Sequence, residues 1–180
     1  MKKKWKIITG VFLLLLLIFI LPGLVSSGIK MKTVTHIRQP LTRVFLTFGD
    51  PVRLPEWMEG FEEIEHIYGL PFAEGSKYRI TVKTGGKKII AVEEIIKVDW
   101  KKRMVLDMKT PEGSVRADIY FFQMDDYAEI MGNFTVTGGD LFTRILLPWM
   151  KPVIRKKLNN GMDRFRQMME KNDTDYPEKN

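Results

Sequence analysis

Six consecutive segments with a two-residue repeat constrain the fold of this chain more than any other feature. They are residues 61–68, 77–84, 87–98, 103–108, 115–123 and 128–137. Each gap between them carries turn residues such as Gly85-Gly86 or Asp125-Asp126. Parallel strands need a crossover of a dozen or more residues, and these gaps are shorter. The segments therefore predict an antiparallel, meandering sheet.

Two of the segments indicate which side of the sheet is buried. Apolar residues alternate with polar or charged ones in both of them. The apolar positions are Tyr78, Ile80 and Val82 in the first segment, and Val115, Ala117, Ile119 and Phe121 in the second. Such alternation is typical of an antiparallel sheet with one apolar face and one solvated face.

Additional elements precede the six segments. Residues 30–37 mix β-branched and polar side chains and predict a first strand, which Pro40 ends because proline has no N–H for the ladder. Residues 41–48 have helical spacing, and residues 52–58 predict a second short helical or irregular piece.

A long amphipathic helix follows Gly138-Gly139, because the apolar period returns to 3.6 residues. Pro148 and Pro152 are expected to kink or divide this helix. Asn160-Gly161 is a second point at which the helix is expected to end and restart. The apolar stripe consists of Leu141, Phe142, Ile145, Leu146, Trp149, Val153, Ile154, Leu158, Met162, Phe165 and Met169.

The N-terminal residues 7–25 form an uncharged run of nineteen residues. As a helix this run would rise about 28 Å, which is enough to cross the hydrocarbon core of a bilayer. Four lysines precede it and favour a cytoplasmic N-terminus. The sequence thus predicts a single-pass membrane protein whose C-terminal domain is extracytoplasmic.

A cleaved signal peptide is the alternative for this segment. Pro22-Gly23 and the small residues Ser26 and Ser27 fit the signal-peptide pattern, and cleavage would give a secreted or periplasmic protein. The length of the apolar run favours the uncleaved anchor. We therefore divide the chain into residues 1–28 (lysines and anchor or signal), residues 29–171 (one domain) and residues 172–180 (a tail expected to be disordered).

Composition excludes several classes of site. The chain has no cysteine and only two histidines, so we expect no metal site. No phosphate-binding glycine motif occurs, and we expect no cofactor. The 29 basic residues include four lysines at the N-terminus, which leaves 25 basic against 22 acidic residues, about +3. Because these charges are interleaved after residue 30, we expect no nucleic-acid partner.

Residues 40–80 carry a family resemblance. Its motifs are Pro40, Val44-Phe45, Asp50-Pro51, Leu54-Pro55, Trp57-Met58 and Gly75 with Tyr78. The segment resembles the opening of polyketide cyclase/dehydrase-like members of the SRPBCC (START-like) superfamily, and the resemblance extends over about residues 30–171. It implies an α+β helix-grip fold, in which a curved antiparallel sheet of about seven strands wraps around a long C-terminal helix. It also implies a pocket between sheet and helix that is open to apolar ligands.

The expected function is membrane-anchored binding of a hydrophobic or lipid-like small molecule in that pocket, uncharged or weakly anionic. Trp57 would stand at the mouth, and the Tyr78 hydroxyl would be a polar contact inside. The predicted cavity residues are Trp57, Tyr78, Ile80, Val82, Ile119, Phe121, Trp149 and Val153.

Two alternatives stay open at this point. One is a cyclase- or dehydratase-type enzyme acting in the same cavity, and the other is a structural or partner-binding envelope protein with a filled cavity. No catalytic residue is assigned, because alternation is expected to put at least one carboxylate of Glu93-Glu94 and of Asp125-Asp126 in water. A buried ionisable group in the sheet would favour the enzyme. The ligand's identity and the oligomeric state are open.

Overall fold

The computed structural model describes residues 2–26 and 28–171. The helices are α1 (Lys2–Val25), α2 (Leu41–Gly49), a 3₁₀ turn (Pro51–Arg53), α3 (Leu54–Trp57) and α4 (Leu141–Lys171). The strands are β1 (Gly28–Ile37), β2 (Phe61–Tyr68), β3 (Lys77–Thr84), β4 (Lys87–Asp99), β5 (Arg103–Thr110), β6 (Gly113–Gln123) and β7 (Ala128–Gly138). Ser27 and the predicted tail, residues 172–180, lie outside the described residues.

All seven strands form one antiparallel sheet in the order β1-β7-β6-β5-β4-β3-β2. Strands β2 to β7 form a meander, and β1 joins the end of the sheet beside β7. The long helix α4 packs on the side formed by β1 and β7. The predicted α+β helix-grip fold, with an apolar N-terminal helix before it, is confirmed.

The turn between β3 and β4 illustrates how local sequence sets the register. Gly85 and Gly86 have φ values of 55° and 79°, a left-handed conformation that is unfavourable for residues with a Cβ. Thr84 therefore pairs with Lys87 directly across the two-residue loop. The predicted tight hairpin is confirmed.

Helix α4 is continuous, so the expectation that prolines or Asn160-Gly161 divide it is wrong. Pro148 has no N–H to donate to the Arg144 carbonyl, so this turn of the helix lacks one backbone hydrogen bond. Gly23 of α1 packs closely against the same carbonyl. Glycine in a helix costs only about 1 kcal/mol relative to alanine. The buried stripe on both sides of Gly161, which includes Met162, outweighs that cost.

Two groups of buried side chains form the core. The larger group lies under α2 and α4, where Phe48 makes edge contacts with both Phe121 and Phe165. The smaller group lies toward β3 and β4 and consists of Leu54, Tyr78, Ile80 and Ile95. Trp57 packs against both groups. The space that these groups leave unfilled beneath α4 is the candidate site.

Candidate ligand cavity

An apolar cavity lies between the sheet and the middle of α4. Its volume is about 340 Å³, within the range of roughly 300–1,000 Å³ that is typical of small-molecule sites. Most of its wall is apolar. The lining residues are Phe48, Trp57, Met58, Glu59, Thr84, Glu93, Leu106, Met108, Val115, Ala117, Ile119, Phe134, Ile154, Lys157, Leu158, Gly161 and Met162.

The sheet and α4 each supply one wall because both have an apolar face. Met108 and Ala117 belong to neighbouring strands, and Ile154 and Leu158 are one turn apart on α4. Gly161 follows on the same face of the helix. A Cβ built on Gly161 would meet no atom within 4 Å, so the missing side chain leaves cavity space open.

A smaller recess of about 60 Å³ adjoins the cavity. The two spaces share several lining residues, including Trp57, Glu93 and Leu106. Tyr78 and Ile64 line only the recess. Glu93 therefore stands at the boundary between the two spaces.

Glu93 occupies an inward position of β4. Ala91 and Ile95, two residues before and after it, are buried, so Glu93 shares their face of the sheet. Its neighbours across the strands are Tyr78 on β3 and Met108 on β5. Its side chain is thus surrounded mainly by apolar groups.

The Glu93 carboxyl has no partner among residues 2–26 and 28–171, since no hydrogen bond or ion pair reaches it. By accessible surface area Glu93 is half-buried. The accessible part of its side chain faces the cavity. Burial disfavours the charged form and raises the pKa of Glu93 to about 7. At neutral pH the carboxyl is therefore poised between its neutral and ionised forms.

Trp57 belongs to the same wall. Its ring stacks on Phe48 with a centroid distance of 5.5 Å and meets Phe165 edge-on at 5.3 Å. The indole Nε1 is buried and has no hydrogen-bond partner in the part of the chain that the structure describes. A buried donor without a partner carries a desolvation cost of about 1–3 kcal/mol.

Charged side chains border the cavity and already have partners. Lys157 Nζ donates to Thr84 Oγ1 at 2.7 Å, which joins α4 to the end of β3. Glu59 lies 3.4 Å from Arg164 in an exposed ion pair. These contacts form a polar rim around an apolar interior, the usual arrangement for a site that binds an apolar molecule.

Three of the eight predicted site residues lie at these spaces. Trp57 and Ile119 line the main cavity. Tyr78 lines the recess, and its hydroxyl accepts a hydrogen bond from the Phe72 backbone N–H at 3.1 Å. The Tyr78 hydroxyl thus accepts one hydrogen bond within the protein, and its O–H can still act as a donor.

Three other predicted residues pack in the core instead of lining the cavity. Ile80 is in the smaller buried group, and Val82 packs against that group. Phe121 lies in the larger group, with its ring 5.0 Å from that of Phe45. All three are on the apolar face of the sheet, as predicted, but α2 and α3 cover that face at their positions.

The remaining two predicted residues, Trp149 and Val153, lie on the outside of α4. They are 50% and 56% exposed. Trp149 stacks on Phe19 of α1 with a centroid distance of 5.3 Å, and its indole N–H donates to the Phe19 carbonyl at 3.2 Å. The first half of α4 therefore faces α1 rather than the cavity.

Sequence reasoning missed Glu93 as a cavity residue. The signal was present in the alternation of Ala91, Glu93 and Ile95, which puts all three on one face. Glu94, by contrast, faces outward and pairs with Lys77 at 3.5 Å. Within residues 2–26 and 28–171, no three His, Asp or Glu side chains converge to hold a metal ion.

No family model and no curated protein matches the chain. Solved structures match it at low identity and high structural similarity. Ara h 8.0201 is 14% identical with a TM-score of 0.67, and the match covers 81% of this chain and 99% of that one. The Zhui aromatase/cyclase from Streptomyces sp. R1128 is 11% identical with a TM-score of 0.67, over 80% and 94% of the two chains.

A protein from Thermus thermophilus is similar as well. It is 13% identical with a TM-score of 0.66, and the match covers 81% of this chain and all of that one. At these identities the likeness concerns the fold. The chain shares the helix-grip fold of these structures, which is the fold that the resemblance of residues 40–80 implies.

Proposed function

We propose that this protein binds a hydrophobic or lipid-like small molecule in the cavity between the sheet and α4, while α1 anchors it in a membrane. The observation that carries the proposal is the cavity of about 340 Å³, which is apolar inside and has a polar rim that includes the Lys157–Thr84 hydrogen bond and the Glu59–Arg164 ion pair. A cavity that the protein's own side chains leave unfilled argues against the structural alternative. An aromatase/cyclase among the structural neighbours supports a small-molecule role.

The anchor proposal rests on α1, the one helix of the described residues that is long and apolar enough to cross a membrane. Its end packs closely on α4, because Gly23 lies against the backbone of Ile145. Small residues at such contacts are typical of helix pairs in membranes. The chain leaves α1 directly into β1, so the domain stays near the bilayer surface.

The first half of α4 also suits a bilayer surface. Its contact with Phe19 lies six residues, roughly 9 Å, inside the end of α1. The exposed apolar side chains around that contact are Leu141, Phe142, Trp149, Met150 and Val153. Arg155 and Lys156 follow, and such basic residues favour lipid headgroups. The cavity wall begins at Ile154, directly after Val153 of this exposed group, which brings the cavity close to the proposed bilayer surface.

The test is organic extraction of the purified full-length chain, followed by mass spectrometry. The parent chain and Gly161→Ala should release the same apolar molecule. Gly161→Phe should release none, because the added ring would occupy the open space at Gly161. Equal recovery from Gly161→Phe would place the bound molecule elsewhere and contradict the proposal.

A cyclase- or dehydratase-type enzyme is the second candidate, and Glu93 is the observation that favours it. A carboxyl with a pKa of about 7 in an apolar cavity is suited to general acid–base catalysis near neutral pH. The test is incubation with a β-hydroxy ketone amphiphile, following the loss of water by mass spectrometry. Turnover that disappears in Glu93→Gln would support the enzyme, and its absence in the parent chain would oppose it.

A further inference from the structure

We infer that the cavity selects an amphiphile whose head is a cationic amine, and that the Glu93 carboxylate is the group that binds this amine. The inference rests on the proposed binding function and specifies its ligand class. It starts from geometry, because Glu93 is the carboxyl that lines both the cavity and the recess. A head group bound at Glu93 would lie at the boundary of the two spaces. The apolar chain of the ligand would then occupy the main cavity.

The other ionisable groups around Glu93 are engaged or turned to the rim. Lys157 bonds Thr84, and Glu59 pairs with Arg164. The Tyr78 hydroxyl accepts from Phe72. On β2, the exposed His66 ring lies 5.1 Å from the Tyr78 ring, with Tyr78 between it and β4. None of these side chains forms a hydrogen bond or ion pair with the Glu93 carboxyl.

An ionised carboxylate in an apolar setting is unfavourable unless it is paired. Among residues 2–26 and 28–171 no cationic side chain pairs with Glu93, so a ligand cation would gain the full interaction without displacing a partner from that part of the chain. A charge-assisted hydrogen bond inside a cavity is also stronger than one in water. A cationic head group is therefore the ligand group that best suits the Glu93 carboxylate.

The same geometry opposes an anionic ligand, although the sequence analysis expects an uncharged or weakly anionic one. A fatty-acid carboxylate beside Glu93 would place two like charges together, so one of the two would have to take up a proton. An alcohol head is acceptable to either form of Glu93 but lacks the charge. The expected order of affinity for equal chains is amine, then alcohol, then acid.

The pH dependence has a definite sign. Glu93 is protonated below about pH 7 and ionised above it, while an alkylamine stays cationic to about pH 10. Amine affinity should therefore rise with pH through neutrality. Acid affinity should fall over the same interval, because Glu93 becomes negative.

The experiment uses the full chain in nanodiscs of zwitterionic lipid. A diazirine-bearing dodecanol labels the cavity, and dodecylamine, dodecanol and dodecanoic acid compete with it at about pH 6 and about pH 8.5. Empty nanodiscs give the partition of each competitor into lipid. At the higher pH, dodecylamine should compete at least about tenfold better than dodecanoic acid. This ratio should shrink at the lower pH.

Two variants complete the test. Glu93→Gln should lose the preference for the amine over the acid and the pH dependence of that preference. Glu94→Gln, a matched change on the outer face, should behave like the parent chain. Equal competition by amine and acid in the parent, with the cavity still labelled, would overturn the inference and leave the binding function standing. No cavity labelling by the neutral probe would overturn both.

Discussion

Glu93 and Glu94 are adjacent on β4 and face opposite environments. Glu93 lines the cavity and has no hydrogen-bond or ion-pair partner among the described residues, whereas Glu94 pairs with Lys77 at 3.5 Å on the outer face. The alternation of a strand produces this separation. It also provides a matched pair of substitutions that change the same functional group in two environments.

We predict that Glu93→Gln stabilises the protein at alkaline pH and not at acidic pH. Folding raises the pKa of Glu93 from its usual value near 4.5 to about 7, so the folded state binds more protons than the unfolded state between these values. The contribution of Glu93 to the free energy of unfolding is therefore fully present below about pH 4.5. It is lost as the pH rises toward 7. The loss is on the order of 2–3 kcal/mol.

Thermal denaturation of the parent and both Gln variants between about pH 5 and pH 8 measures this effect. The gap in Tm between Glu93→Gln and the parent should widen as pH rises, and Glu94→Gln is the matched change on the outer face. A gap that is constant with pH would mean that Glu93 ionises normally in the folded protein.

Two glycine substitutions should have opposite signs. Gly86 has a φ of 79°, so Gly86→Ala should destabilise the protein by about 1–2 kcal/mol. Gly161 lies inside α4 with open space beside it, so Gly161→Ala should stabilise by about 0.5–1 kcal/mol. Denaturant titration gives both values. A stabilising Gly86→Ala would contradict the left-handed turn.

The contact between α1 and α4 should depend on Gly23. A Cβ there would clash with the Ile145 Cα, whereas a Cβ on Gly10 would meet nothing within 4 Å. Gly23→Leu should therefore separate the helices, and Gly10→Leu should not. Because the chain has no native cysteine, spin labels on Leu16→Cys and Met150→Cys report the distance directly. A narrow distribution that survives Gly23→Leu would rule out the close approach.

We predict that the mature protein keeps its N-terminal segment. The apolar run of nineteen residues and the packing of its end on α4 both favour retention. N-terminal sequencing of the protein from its native membrane checks this. A mature chain that begins at Gly28 would establish a cleaved signal, and α4 would then lose its contact with Phe19.

The strands were predictable from sequence because their signals are local. The alternation of Tyr78 and Ile80 and the Gly85-Gly86 turn fix one strand and its hairpin without knowledge of the rest of the chain. The continuity of α4 was not predictable from Pro148 or Pro152, because it depends on packing against α1 and the sheet.

The candidate site was harder to predict because a cavity is defined by what covers the sheet. Phe121 and Ile119 lie two residues apart on one face, yet α2 covers the first and leaves the second open to the cavity. The rotation of α4 likewise turns Trp149 toward Phe19. Alternation could have identified Glu93 as inward, but a charged residue at such a position is usually assumed to be solvated.

The most direct test of the binding function is to map where the diazirine-bearing dodecanol attaches to the full-length chain. Peptide mass spectrometry should find the label on residues that line the cavity, such as Met108 of β5 and Leu158 of α4. Gly161→Phe should remove these attachments, and Gly161→Ala should retain them. Labels confined to α1 and the exposed side chains around Trp149 would show contact with lipid alone and contradict a ligand in the cavity.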